Sequence, residues 1–556
     1  MNTPLDPITL QVIESALRSI CEEMGASLIR AAYSTNIKER RDCSTALFDA
    51  SGRLIAQAEH IPVHLGAMPD AVRAVLAEKP APGDIFILND PYRGGTHLPD
   101  ITVVSPIAIP ITDLVSPEDT NPEFRLPDAI SPDSALLDSA GAPPGTSGKT
   151  PAGPPLKIIA YAASRAHHAD VGGIEPGSMP ADSTRLEEEG VVIAPSRLVA
   201  AGEPQEEFLR ELLARMRSPE ERLGDLRAQM GAGRIAERRL FELIGQWGRM
   251  EVLAAMDAAI TYAERRMQRA IAGLPEGVYS AEDYLERDGQ DLTIAVTVTV
   301  RGEEMQIDFD GTSPQEAGNL NCPMAVTRSA CYFVLRAVTD PDIPANMGAL
   351  APVRITAPEG SLVNARPPAA VAAGNVETSQ RIADTILLAL SQAMPLPAQG
   401  QGTMNNLTLG SEAPGREFNY YETIGGGAGA CPGSGGASGI HLGMTNTLNT
   451  PVEALEMAFP LRVESYEFRQ GSGGNGVWRG GEGVVRSLRL LVPARLSLLA
   501  DRRRHGPRGA GGGASGLPGK NLINGKEVAG KLTDSLEAGD VVTVETPGGG
   551  GYGSRD

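Results

Sequence analysis

Apolar residues recur at helical spacing from the start of the chain: Ile8, Val12, Ile13, Leu17, Ile20, Met24 and Leu28 fall on one helix face. Asp6 is placed to cap that helix, and Pro7 to occupy its first turn, where a missing N–H costs nothing. The pattern then shortens. Ala46–Ala58 (ALFDASGRLIAQA) reads as two apolar runs around Asp49–Gly52, a hairpin. Further strands are predicted at Ile85–Leu88, Ile101–Ile109 and Lys157–Ala163. Between the last two, Asp113–Pro155 is rich in Pro, Ser, Gly and Asp and has almost no apolar period. Such a stretch cannot bury enough apolar area to offset its ordering entropy, and it predicts a partly disordered surface insertion. Helical spacing returns from Glu206 to Ala272, with Ser218–Pro219 as a start signal. Leu292–Val300 and Glu303–Phe309 alternate at period two around Arg301–Gly302, a second hairpin, and helices are expected over 326–338 and 379–393.

Beyond Gly400 glycine dominates: ETIGGGAGACPGSGGASG, RQGSGGNGVWRGGEGVV, GPRGAGGGASGLPG and ETPGGGGYG. Short β-like runs such as Val484–Leu491 and Val541–Thr546 flank these clusters, together with Arg, Asn and Glu. That setting suits loops whose backbone passes close to a substrate or another chain, rather than a flexible linker. The expected fold class is α+β and multidomain, with mixed sheets, flanking helices and a Gly-rich, β-rich C-terminal half. The expected regions are 1–200 (α/β, carrying the chemistry), 201–275 (helical), 276–400 (α/β) and 401–556 (β-dominated).

Bulk composition narrows the function. A chain of 556 residues exceeds one ordinary core, and 41% hydrophobic with 21% charged residues is a globular balance. A net charge of −20 without a basic stripe argues against nucleic acid as a partner. No apolar run approaches the roughly 18 residues of a membrane span. Five cysteines without a CxxC pair, and an N-terminus without a signal-peptide pattern, lead us to expect a reduced, cytoplasmic protein.

Histidine placement is the sharpest chemical signal. Of seven histidines, His60, His64, His97, His167 and His168 lie in AEHIPVH, NDPYRGGTHLPD and SRAHHADVGG, each beside carboxylates and each just after a strand candidate. Imidazole with carboxylate is the ligand set of Zn, Mn or Fe sites. Glu59, Asp90 and His167 or His168 follow three different strands, so three strand ends are able to converge on one ion. Other schemes find no support: there is no GxSxG elbow, no nucleophilic cysteine motif, no GK[ST] ending and no strand–GxGxxG–helix unit.

Taken together, DPITLQVIESAL, IKERRDCSTALFDASGRLIAQAEHIPVHLGAMP, GDIFILNDPYRGGTHLPDITVVSP, SRAHHADVGGIEPGSMP, ETIGGGAGACPG, MTNTLNTPVEALE and SLLADRRRHGPRG resemble the hydantoinase B/oxoprolinase family, in order, from Pro4 to Gly553. The resemblance implies the hydrolytic subunit of an ATP-dependent cyclic-amide hydrolase, acting on hydantoin, 5-oxoproline or another lactam. It implies a hetero-oligomer with a hydantoinase A-type ATPase subunit, which uses ATP to phosphorylate the substrate. A divalent metal here (Zn or Mn, or Fe) would then supply the attacking water. Family members also include ATP-dependent ketone carboxylases, an alternative activity, and a third reading is a scaffold for the ATPase. The resemblance implies Glu59, Asp90 and the SRAHHAD pair as metal ligands, His168 being favoured over His167, with His97, Asp100 or Glu189 as the fourth. Arg41, with Arg40 and Arg93, is a candidate for gripping phosphate, and Asp42 and Asn89 for orienting ligands. Two departures stand out: the 113–155 insertion, and Ala166 where the family motif reads SRGHH.

Overall fold

In a computed structural model of the protein, residues 6–110, 155–287 and 290–554 are described. The first helix runs Pro7–Ala31, with Asp6 accepting from the Thr9 N–H at 3.1 Å, and it buries Ile13, Leu17, Ile20, Met24 and Leu28. The expected hairpin follows as β1 (Cys43–Asp49) and β2 (Leu54–Glu59). The remaining strands of this part are β3 (Ile85–Leu88), β4 (Asp100–Pro110), β5 (Leu156–His167), β6 (Ser196–Ala200) and β7 (Glu203–Pro204). They form one seven-stranded sheet in the order β2-β1-β5-β4-β3-β6-β7. The expected Asp113–Pro155 insertion lies outside the described residues except for Pro155, which immediately precedes β5.

Both faces of this sheet are covered, which is why its strands are apolar on both sides. Cys43, Leu47, Ile107, Ala160 and Ala162 pack under Pro7–Ala31 and two long helices, Pro219–Trp247 and Arg249–Ala272. Alternate positions, Ala46, Phe48, Phe86, Leu88 and Val104, pack against the helix Met68–Ala77 on the opposite face. The predicted helical stretch thus resolves into a short helix, Glu206–Leu213, and the two long ones, with Pro219 starting the first of the pair. Among the described residues, no helix is long and apolar enough to cross a membrane.

The second hairpin also forms, inside a four-stranded sheet of order β11-β10-β9-β8. Its strands are β8 (Gly277–Arg287), β9 (Gln290–Arg301), β10 (Glu304–Asp308) and β11 (Val353–Thr356). It shares a core with the helices Met324–Val338 and Ser379–Leu390. The last part folds as two facing sheets. One has the order β13-β12-β16-β19 and the other β14-β15-β20-β17-β18. The first uses β12 (Asn406–Ser411), β13 (Phe418–Glu422), β16 (Ala494–Leu499) and β19 (Lys531–Leu536). The second uses β14 (Leu461–Arg469), β15 (Gly483–Leu490), β17 (Lys520–Ile523), β18 (Lys526–Val528) and β20 (Val541–Glu545). Leu407, Leu409 and Tyr420 meet Leu488, Val542 and Val544 between them.

The glycine clusters have a use that the sequence leaves open. They thread past one another: a Cβ on Gly427 would overlap the Gly481 carbonyl, one on Gly480 that of Gly549, and one on Gly549 that of Ala428. The close approach is therefore backbone to backbone within this chain.

Candidate metal centre

Strand direction decides which groups meet. β1 starts, β2 ends, β4 starts and β5 ends at the same edge of the first sheet, since Cys43 pairs with Ala166, Ser44 with Glu59 and Asp100 with His167. Side chains of four loops therefore gather there. His97 Nε2 lies 3.0 Å from Asp100 Oδ1 and His167 Nδ1 lies 3.2 Å from the same oxygen. The two imidazole nitrogens are 3.2 Å apart. His64 Nε2 approaches the other oxygen of Asp100 at 3.4 Å, and its Nδ1 sits 3.1 Å from Ser44 Oγ.

These separations match the edges of a coordination tetrahedron, about 3.4 Å for metal–ligand bonds of about 2.0–2.1 Å. Two imidazole nitrogens and a carboxylate oxygen, mutually in reach, form a buried triad suited to a divalent ion. Among the described residues, His64 Nε2, which faces Asp100, and the outer ring nitrogens His97 Nδ1 and His167 Nε2 are buried without a hydrogen-bond partner. Burial alone would raise the Asp100 carboxyl, but the imidazoles of His97, His64 and His167 outweigh it and hold it well below the carboxylate range. Burial also lowers the His167 pKa. At Asp100 and His167 these directions favour the anionic carboxylate and neutral imidazole that ligation needs.

The surroundings fix each member. Thr96 Oγ1 donates to Asp100 Oδ2 at 2.6 Å. Tyr421 stacks on His167 with ring centroids 4.7 Å apart and planes 11° from parallel. Arg40 lies over the Tyr421 ring and donates to the Tyr421 carbonyl at 2.5 Å and to Thr423 Oγ1 at 2.7 Å. Its guanidinium is thus an internal clamp, whereas Arg41 is exposed in a left-handed conformation (φ 55°). The cavity beside the cluster measures about 20 Å³, and Asp42, His64, His97, Asp100 and His167 form one wall of it. Asn375, Tyr421, Thr423, Thr445 and Thr447 supply the rest of its polar lining. That volume suits one ion or water, not an organic ring.

Other candidates from the sequence sit elsewhere. The sequence favours His168, but adjacent residues of a strand end face opposite ways. His167 enters the cluster, while His168 turns to Gln229 on the helix Pro219–Trp247, with Nε2 2.9 Å from Oε1. Burial lowers the His168 pKa to about 4. Asp90 caps the turn Pro91–Arg93, accepting from the Tyr92 N–H at 2.9 Å, with Arg93 3.7 Å away. Asn89 joins loops: its Nδ2 donates to the Leu98 and Val191 carbonyls at 2.8 and 2.9 Å, and its Oδ1 accepts from the Ile193 N–H. The adjoining loop folds back so tightly that a Cβ on Gly95 would overlap the Asn89 carbonyl. Glu189 accepts from the Val371 and Ala372 N–H groups at 3.0 and 2.9 Å, and burial pushes its carboxyl up to about 7. Glu59 pairs with Ser44 through its backbone, and its side chain lies outside what is described. His64, prominent in AEHIPVH yet absent from the expected ligand set, is the addition.

The sequence profile of hydantoinase B/oxoprolinase matches residues 6–115 and 146–555, and its gap falls within the Pro/Ser-rich stretch. 5-Oxoprolinase 1 of Arabidopsis thaliana is 38% identical over 99% of this chain, which spans only 42% of that longer protein. A protein of Pseudomonas sp. (strain NS671), named as a candidate B-type component of a D-/L-hydantoinase, is 29% identical over 99% of this chain and 90% of its own. The crystal structure of the ATP-dependent caprolactamase from Pseudomonas jessenii superposes with a TM-score of 0.84 at 26% identity, covering 100% of this chain and 92% of that one. With the profile spanning both ends of the fold and all four loops of the cluster, the chain belongs to the hydantoinase B/oxoprolinase family.

Proposed function

We propose that this chain is the hydrolytic component of an ATP-dependent cyclic-amide hydrolase, opening hydantoin, 5-oxoproline or a related lactam with an A-type ATPase as partner. The observation that carries the reading is the buried convergence of His97, Asp100 and His167 beside an ion-sized cavity. Relatives named as a 5-oxoprolinase, a hydantoinase component and a caprolactamase support the substrate class. The hydantoinase relative is named as one component of several, and this chain spans under half of the 5-oxoprolinase; both support a separate partner.

His97, Asp100 and His167, with His64, would hold the divalent metal. Such an ion supplies a water of lowered pKa and a positive charge for an oxyanion. The chain's own groups do the rest. A lactam resists attack because its amide is resonance-stabilised, and phosphorylation of its oxygen by the partner removes that resistance. The Asp42 carboxylate lines the same cavity, where it is placed to take a proton from water attacking the ring carbon. Tyr421 and Arg40 keep His167 in register.

The test is to co-purify the chain with its ATPase partner and screen cyclic amides for ATP-dependent ring opening. Ring opening of at least one is expected. Bicarbonate-dependent consumption of a ketone, with no amide opened, would replace the hydrolase by a carboxylase.

A further inference from the structure

The cavity has further polar lining besides the His–Asp cluster. These further members are neutral, and most are already engaged. Thr423 and Thr447 hydroxyls lie 2.6 Å apart and both accept from Arg40. Thr445 Oγ1 lies 3.4 Å from His441 Nδ1. Asn375 differs: it is 3% exposed, it lines the cavity, and its Oδ1 is buried without a hydrogen-bond partner among the described residues. A carboxamide left in that state is costly unless something arrives to fill it.

The backbone beneath Asn375 is built to present it. Residues Gly374–Thr378 form a π turn leading into the helix Ser379–Leu390, with the Ser379 N–H bonded to the Gly374 carbonyl. One extra residue in the turn rotates the following side chains relative to a regular helix, and π turns recur at functional sites. Neighbouring loops hold the turn from both ends. Gly374 donates to the Asn319 carbonyl at 2.9 Å, and a Cβ there would overlap the Asn321 carbonyl. Thr378 Oγ1 donates to the Leu320 carbonyl at 2.5 Å, and Glu377 accepts from the Met404 N–H at 3.1 Å. Glu189 caps the turn before it through the Val371 and Ala372 N–H groups. A wide turn gripped this firmly leaves Asn375 little freedom, which is what pre-organised recognition requires.

A cyclic amide is the partner this group fits. Its ring forces N–H and C=O onto one edge, and a carboxamide offers the matching acceptor and donor on one edge of its own. After the carbonyl oxygen is phosphorylated, the ring nitrogen carries a lone pair, and the same carboxamide can donate to it through Nδ2. A ketone offers no nitrogen to this contact. We propose that Asn375 is a substrate-binding residue that grips the nitrogen edge of the cyclic amide, an inference that rests on the function proposed above. The ring needs more room than a cavity of about 20 Å³ gives. Admitting it requires the coil from 440 to 450, which bears Thr445 and Thr447, to give way at two hydrogen bonds, Asn446 Nδ2 to the His60 carbonyl and the Leu448 N–H to the Arg40 carbonyl.

The experiment uses the metal-loaded full chain with its ATPase partner, as wild type, Asn375→Ala and the near-isosteric Asn375→Asp. Hydantoin and 5-oxoproline are the probes, and metal content, thermal unfolding, ATP hydrolysis and ring opening are measured side by side. We expect both variants to keep metal, unfolding midpoint and substrate-triggered ATP hydrolysis, while ring opening per ATP falls about 100-fold. Titration of the metal-loaded chain with 2-pyrrolidinone should weaken about tenfold in Asn375→Ala, whereas N-methyl-2-pyrrolidinone, which has no N–H for Oδ1 to accept, should lose less on the same substitution. Ring opening in both variants within about threefold of wild type overturns the assignment and leaves the hydrolase standing. Loss of metal or a lowered midpoint in both variants also overturns it, making Asn375 a packing residue. A wild type that opens neither probe nor any other cyclic amide removes the hydrolase reading itself.

Discussion

His167 and His168 are neighbours in sequence with opposite fates, and the difference is measurable. Asp100 and His167 face each other across β4 and β5, with the ion-sized cavity beside them, whereas His168 anchors the strand end to Gln229. We expect His97→Ala, Asp100→Asn and His167→Ala to lose bound metal by elemental analysis. His168→Ala should keep it but lose about 2 kcal/mol of stability in denaturant titration, through a cavity and an unpaired Gln229. Metal retained by the first three variants and lost by the last would reverse these roles. The residue types were legible in the sequence because His beside carboxylate at a strand end is rare in a His-poor chain. Which of two adjacent histidines faces inward was not, because that parity depends on register with β4, seventy positions away in the His97–His167 pair. Asp90 is ambiguous in the same way: in NDP a ligand and a turn cap look alike, and here one carboxylate oxygen accepts from the Tyr92 N–H.

At the scale of the element, period-two and helical patterns located β1 to β5, both hairpins and the long helices, since burial on a face imposes those periods directly. The π turn was invisible, because one inserted residue at the head of Ser379–Leu390 leaves the apolar repeat unchanged. It nevertheless divides two polar side chains between two environments. Asn375 lines the cavity, while Glu377 meets the Met404 N–H and Asn406, which in turn accepts from the Tyr421 hydroxyl at 2.8 Å. Burial first, and then the nearby Asp501 carboxylate, push the Glu377 carboxyl up from 4.5 to about 8. The folded state therefore holds a proton that the unfolded chain releases near pH 4.5, so this contribution is fully present below that pH. It is lost as pH rises towards 8, a change on the order of 5 kcal/mol at most. Glu377→Gln, neutral throughout, should flatten the fall in Tm between pH 5 and pH 8. An unchanged slope would mean that Glu377 ionises in the fold at its ordinary pKa.

Over the whole molecule, the centre is assembled from parts that no single region contains. The proposed ligands come from loops at one edge of the first sheet, Asn375 from the π turn, and Tyr421 from β13 in the last part of the chain. Arg40 crosses between them, tying the approach to β1 to the Tyr421 carbonyl and to Thr423. Long-range assembly of this kind leaves no periodic trace in a sequence, and neither does the mutual threading of the glycine clusters that shapes the last part. It does have an energetic signature. If Tyr421 fixes the His167 ring by stacking, its removal should weaken metal binding without touching a ligand. We expect Tyr421→Ala to lower metal affinity 10- to 100-fold, a typical effect for groups that orient ligands. Tyr421→Phe should be nearly neutral for affinity, since the stack survives, and it should lose only the hydroxyl bond to Asn406. Competition against a chelator of known affinity measures both variants. Equal affinities for wild type and Tyr421→Ala would mean that the first sheet shapes the centre alone, and that the remainder of the chain serves the substrate and the partner.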